Sequence, residues 1–141
     1  MTFAGISYLA VVIAAAAAWL ASAAWYMGLS RPYVAALGKI PEQMARDRKN
    51  PAAFLPFIYA FVANIVIAWM LAGLLGHLGA GQVTLPNGVV SALFLWFGFI
   101  LTTMIVNYSF AGRDKRLLLI DAGNWLVVLV VIGAAVGGLG V

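Results

Sequence analysis

Four long apolar stretches constrain this chain more than anything else in it. They run from Ile6 to Leu29, Ala53 to Leu75, Asn87 to Phe110 and Leu117 to Leu139. A helix crossing the hydrocarbon core needs about 20 mostly apolar residues, and each stretch meets that length. Membrane strands are far shorter and alternate in polarity, roughly 10 residues each. Helices also satisfy their backbone groups internally, which decides the matter where an unpaired amide costs several kcal/mol. The expected fold is therefore all-α, a four-helix transmembrane bundle of two hairpins, forming one domain over 1–141. Composition agrees, since 65% of the residues are hydrophobic and only 9% charged, too few to solvate a globular surface. The net charge of +4 arises from eight Lys and Arg against four Asp and Glu. That is a shortage of acids and not a dense basic face, so nucleic-acid binding is excluded. The chain has no cysteine, hence no disulfide or thiolate metal site. No cofactor is implied.

All the basic residues fall in two connections. Arg31, Lys39, Arg46, Arg48 and Lys49 follow the first stretch, and Arg113, Lys115 and Arg116 lie between the third and fourth. Lys and Arg in short loops stay on the cytoplasmic side, so both basic loops, about 30–52 and 111–116, are expected there, with both termini outside. Ala21-Ser22-Ala23 resembles a signal cleavage site, but a signal carries its basic residues before the apolar run. Here Arg31 follows the run, so the first span is expected to be retained. In the first loop, Tyr33, Leu37, Ile40 and Met44 recur at helical spacing, interrupted by Gly38 and Pro41. This suits a broken amphipathic segment in the headgroup layer with its cations towards anionic lipid. A plain polar loop is the alternative.

Helices in lipid associate through close packing and hydrogen bonds. Ala14, Ala18 and Ser22 repeat every fourth residue in span one, Gly133 and Gly137 form a GxxxG step in span four, and Ser91, Gly98, Thr102 and Ser109 lie near one face of span three. These surfaces suit a tight bundle or self-association.

Asp121 is the one carboxylate within a span. Rises of 1.5 Å per residue bring Asp121, Asn124, Asn107, Tyr108, Thr103, Trp25 and Tyr26 to one depth at the basic end. On one reading these form a polar binding site or pathway, with Arg113 as the charge partner of Asp121, because ionisable groups within a span commonly mark such sites. On the other, Asp121 complements the helix N-terminus and pairs with Arg113 or Arg116 to fix the loop, while the remaining groups join helices or anchor at the interface. Asn64, near mid-span, is expected to bond a neighbouring helix. His77 reads as a loop residue without a metal set. The tyrosines at Tyr26 and Tyr108 each stand five residues before a basic residue, and Asn64 and Asn124 are each followed by a tryptophan, a pattern consistent with two parallel repeats.

No phosphate loop, His-Glu pair or nucleophile elbow occurs, so an enzyme is not expected. Three functions remain, of which an enzyme acting on a lipid or quinone is favoured by nothing beyond the one carboxylate within a span. Another is an accessory or packing protein that forms a homo-oligomer or joins a larger membrane complex. The third is a small oligomeric carrier or channel for a solute or proton that uses Asp121 and nearby Asn residues.

Trp25-Tyr26, Leu95-Trp96-Phe97-Gly98-Phe99 with Thr102-Thr103, Asn107-Tyr108 with Phe110 and Arg113, and Ile120-Asp121-Ala122-Gly123 occur in an order and spacing that resembles a bacterial family of small four-span membrane proteins catalogued as domain of unknown function 1761. The resemblance covers nearly the whole chain and is weakest in the first basic loop. It implies the four-span fold and a bacterial inner membrane, and no activity.

Overall fold

Ser7 begins the first long helix, its hydroxyl accepting from the Leu9 N–H at 3.2 Å as an N-cap does. Helix α1 then spans Tyr8–Gly28. The computed structural model describes residues 2–3 and 6–140. Ahead of α1, Thr2–Phe3 pairs antiparallel with Ile6–Ser7, so the expected start at Ile6 is extended chain. After α1 come the short helices α2, Ser30–Leu37, and α3, Pro41–Lys49. They part at Gly38, whose φ of 69° is the left-handed conformation that ends helices. The face predicted to run from Tyr33 to Met44 is thus broken, and Ile40 stands exposed.

A 3-10 turn, Pro51–Phe54, leads into α4, Leu55–His77. His77 therefore ends a helix, with Nδ1 2.8 Å from the Gly73 carbonyl. The third span is built from α5, Leu85–Leu95, a π-helical turn, Trp96–Leu101, and α6, Thr102–Phe110. The fourth is α7, Lys115–Leu139. Four helices are long and apolar enough to cross a membrane, Tyr8–Gly28, Pro51–His77, Leu85–Phe110 and Lys115–Leu139. Their limits fall within two residues of those read from hydropathy.

Helix α7 is the centre of the bundle, packing against α1, α4 and α5. Ala14 and Ala18 of α1, Ala68 and Leu71 of α4, Ala92 of α5 and Ile132 of α7 fill the core. Small residues let these backbones approach, as lipid-embedded helices require. A methyl group on Gly133 would overlap the carbonyl oxygen of Gly88, and one on Gly137 that of Thr84. The GxxxG step is therefore spent inside the chain, against Gly88, which sequence inspection did not select. Gly98 does not pack within the chain. It meets nothing within 4 Å and lies on an exposed face between Phe97 and Phe99, which are 67% and 68% exposed.

This face falls within the π turn. Widened turns are frequent at functional positions, and the carbonyls they free need new donors in hydrocarbon. Thr102 Oγ1 lies 2.9 Å from the Gly98 oxygen, and Thr103 Oγ1 lies 2.7 Å from that of Phe99. Ser109 likewise bonds to Ile105 of its own helix. These hydroxyls serve their own backbone and not a neighbouring helix.

Candidate functional site

The basic end of α7 is set by Asp114. Its carboxylate caps the helix by accepting from the Arg116 N–H at 2.8 Å, and it forms an ion pair with the Arg116 guanidinium at 2.9 Å. The Arg116 hydrogen bonds hold the Asp114 carboxyl below its usual range. Asp121 stands six residues past Lys115, about 9 Å along the axis. It thus lies in the second turn, about two turns beyond Asp114, the residue that caps the helix.

Two phenols hold the Asp121 carboxylate. Tyr26 at the end of α1 donates to Oδ1 and Tyr108 near the end of α6 donates to Oδ2, both at 2.6 Å. Such short charge-assisted bonds are about twice as strong as neutral ones. Asp121 is in no ion pair with Arg113 or Arg116. Among the described residues the side-chain ion pairs are Lys39–Asp47 and Arg116–Asp114. The reason is geometric: rigid helices deliver both tyrosines to the carboxylate, whereas the chain turns at Gly112, φ 61°, before Arg113. The two tyrosines that hold matching places in the two hairpins converge on one carboxylate.

Indole groups pin the backbone on either side of Asp121. Trp25 Nε1 donates to the Ile120 carbonyl at 3.0 Å, and Trp96 Nε1, from the π turn, donates to that of Ala122 at 2.8 Å. Trp25 lies over Gly123, where an added Cβ would come 2.5 Å from its Cζ2. Trp25 is therefore a clamp on α7. Trp96 was not foreseen as a site residue, although it adjoins the Gly98 and Thr102-Thr103 pattern that marks the widened turn.

Not every expected member joins the cluster. Asn124 is 5% exposed and turns towards α1, where Ser22 donates to its Oδ1 at 2.7 Å. Ser22, expected only to pack, is thus a hydrogen-bond donor between helices. Ser22→Ala is expected to leave that buried oxygen unpaired, costing about 1–3 kcal/mol. Thermal melting in detergent would show this, and an unchanged midpoint would refute the bond. Thr103, bonded to its own helix, is also outside the cluster. Asn64, 2% exposed, joins α4 to α1. With the amide oriented to satisfy both ends, its oxygen accepts from the Trp19 N–H and its nitrogen donates to the Ala60 carbonyl, each at 3.3 Å.

Asp121, Tyr108, Asn107 and Arg113 line a cavity of ≈ 340 Å³ together with Tyr33, Leu37, Ala111 and Leu117. Tyr33 and Leu37 belong to α2, which folds back onto α7 and walls the site. Burial, followed by the Asp121 charge, raises the Tyr33 phenol above its ordinary pKa, with Lys39 opposing. A second cavity of ≈ 690 Å³ lies between α1 and the start of α4. Trp19, Ala23, Tyr26, Met27, Tyr33, Phe57 and Ala60 are among its lining residues. Tyr33 borders both cavities, its ring edge-on to Tyr26 at 5.0 Å. Hydropathy alone carried no trace of this groove, because it arises between helices. Among the described residues no group of three or more His, Cys, Asp or Glu gathers to hold a metal.

Over residues 9–137 the chain matches the family described as protein of unknown function (DUF1761). No curated protein and no solved structure matches it.

Proposed function

The chain belongs to that family, and from this premise we propose a multi-pass protein of the bacterial inner membrane that carries a small solute or a proton, bound at Asp121 from the cytoplasmic side. Both basic loops then face the cytoplasm and both termini the outside, as the distribution of Lys and Arg favours. One observation carries the reading: the single carboxylate within a span is held by two phenols instead of being neutralised by an arginine, and it lines a cavity. A charge placed there is costly, and after two phenols have bonded, a carboxylate retains lone pairs for an incoming cation or N–H donor. Asn107 and Arg113 supply further polar contacts. The reading involves no enzymatic step and no cofactor.

The test uses proteoliposomes carrying an internal pH dye, with methylammonium as the solute. Asp121→Asn is expected to reduce proton or methylammonium flux about tenfold or more, the equivalent of one lost charge-assisted interaction, while the protein still melts cooperatively. Equal flux in wild type and variant would overturn the proposal.

The accessory reading is weaker than the sequence alone suggests, because the small-residue faces of α1 and α7 are occupied within the bundle. What favours it is the open Gly98 flanked by Phe94 and Phe97, 75% and 67% exposed. A second copy docked there would be trapped by cross-linking Phe97→Cys in membranes. Helix α3 presents Arg46, Arg48 and Lys49 on an exposed segment, which suits contact with anionic lipid.

A further inference from the structure

We propose that the two cavities together hold one membrane phospholipid with a primary-amine headgroup, its ammonium on Asp121, its phosphate on Arg113 and one acyl chain in the groove between α1 and α4. This rests on the reading of Asp121 as the binding group, and it names the ligand class.

The headgroup chemistry follows from the charges. The smaller cavity has one carboxylate, Asp121, and one guanidinium, Arg113, in its lining. Among the described residues Arg113 forms no ion pair, and a guanidinium fork matches phosphate oxygens. A zwitterion carrying ammonium and phosphate therefore complements the cavity in sign and number. Each Asp121 oxygen already accepts one phenol, so its remaining lone pairs call for N–H donors. A primary ammonium has three, whereas a quaternary choline has none, and this predicts selection between otherwise similar lipids.

The tail follows from the second cavity. Its volume, ≈ 690 Å³, lies within the usual range for ligand sites, about 300–1,000 Å³. Trp19, Met27 and Phe57 give it a mainly apolar wall in which Ser22 and Ser30 are the hydroxyls besides the tyrosines, and the small Ala23 and Ala60 also line it. Tyr33 borders both cavities, so a molecule bent around its ring reaches from the polar site into the apolar groove. Tyr26 has the same double character. Its ring lines the groove and its hydroxyl is bonded to Asp121.

The test places the protein in phosphatidylcholine vesicles containing a small fraction of lipid brominated on its acyl chains, with the quenching of tryptophan emission followed, since Trp19 lines the groove. Brominated phosphatidylethanolamine is expected to quench half-maximally at about one tenth the mole fraction needed for brominated phosphatidylcholine, roughly the worth of one charged contact. Asp121→Asn should erase the difference. Arg113→Gln, in a surface turn, should weaken phosphatidylethanolamine binding if the Asp121 variant does not fold. Ala60→Leu should weaken it by filling the groove. Equal quenching by the two lipids in the wild type would overturn the lipid assignment, and so would displacement of brominated phosphatidylethanolamine by tail-less O-phosphoethanolamine at comparable affinity. If methylammonium flux still depends on Asp121 in that case, only the ligand class falls. If it does not, the functional reading falls as well.

Discussion

Gly88→Ala is expected to disrupt the pairing of α5 with α7. A methyl group at position 88 would overlap the Gly133 carbonyl and come 3.3 Å from the Gly137 Cα. All of these obstacles are backbone, so no side chain can rotate away and the helices themselves must separate. Overpacking a core costs typically 1–3 kcal/mol, and a backbone-to-backbone overlap belongs at or above the top of that range, about 3 kcal/mol. The loss is severe in a bilayer, where close packing replaces the hydrophobic drive between helices. Gly98→Ala is the control. It meets open space on a helix exterior and should be neutral, or stabilising by up to about 1 kcal/mol from the better helix former. Unfolding in mixed SDS micelles would compare the two, and similar midpoints would show that the α5–α7 contact is not as tight as described.

Gly123→Ala is expected to impair the site without removing any group that binds. The new Cβ would press on Trp25 at Cζ2, 2.5 Å away, and at Cη2, 3.0 Å away. An indole can shift where a backbone cannot, so the stability cost should be about 1–2 kcal/mol. The shift breaks the Trp25 bond to the Ile120 carbonyl and displaces its neighbour Tyr26 from Asp121. Methylammonium flux should fall about tenfold, comparable to weakening one charged hydrogen bond, and tryptophan emission should move in wavelength. Phenylalanine lacks the indole atoms that collide. In a Trp25→Phe background the same alanine should therefore do less harm than the sum of the two changes, as expected for residues in contact. Additive losses would sink the clamp.

Much of this site was legible before any coordinates. Tyr26, Tyr108 and Asp121 could be brought to one depth by counting residues, because a helix advances by a constant rise and the basic loops mark the ends. Family resemblance pointed to the same residues. Partners were not legible. Arg113 looked the natural mate of Asp121 by charge and closeness in sequence, yet the turn at Gly112 gives that role to two phenols from other spans. Asn124 shared a helical face with Asp121 but bonds Ser22 on α1. Gly98 and Gly133 looked alike as small residues. Only one meets another helix, because the rotation of each span about its own axis is decided by all its contacts at once.

Length and apolarity by themselves determined that the chain forms four helices long enough to cross a membrane, since hydrocarbon leaves a backbone no cheaper way to satisfy its amides. The arrangement of basic residues likewise marked which helix ends lie together. Tertiary structure alone decided that α7 is central, that a π turn aims Trp96 at the Ala122 carbonyl, and that α2 folds back to wall a cavity over Asp121. Those outcomes depend on which side chains meet across separate helices, a relation that residue order along one helix does not contain.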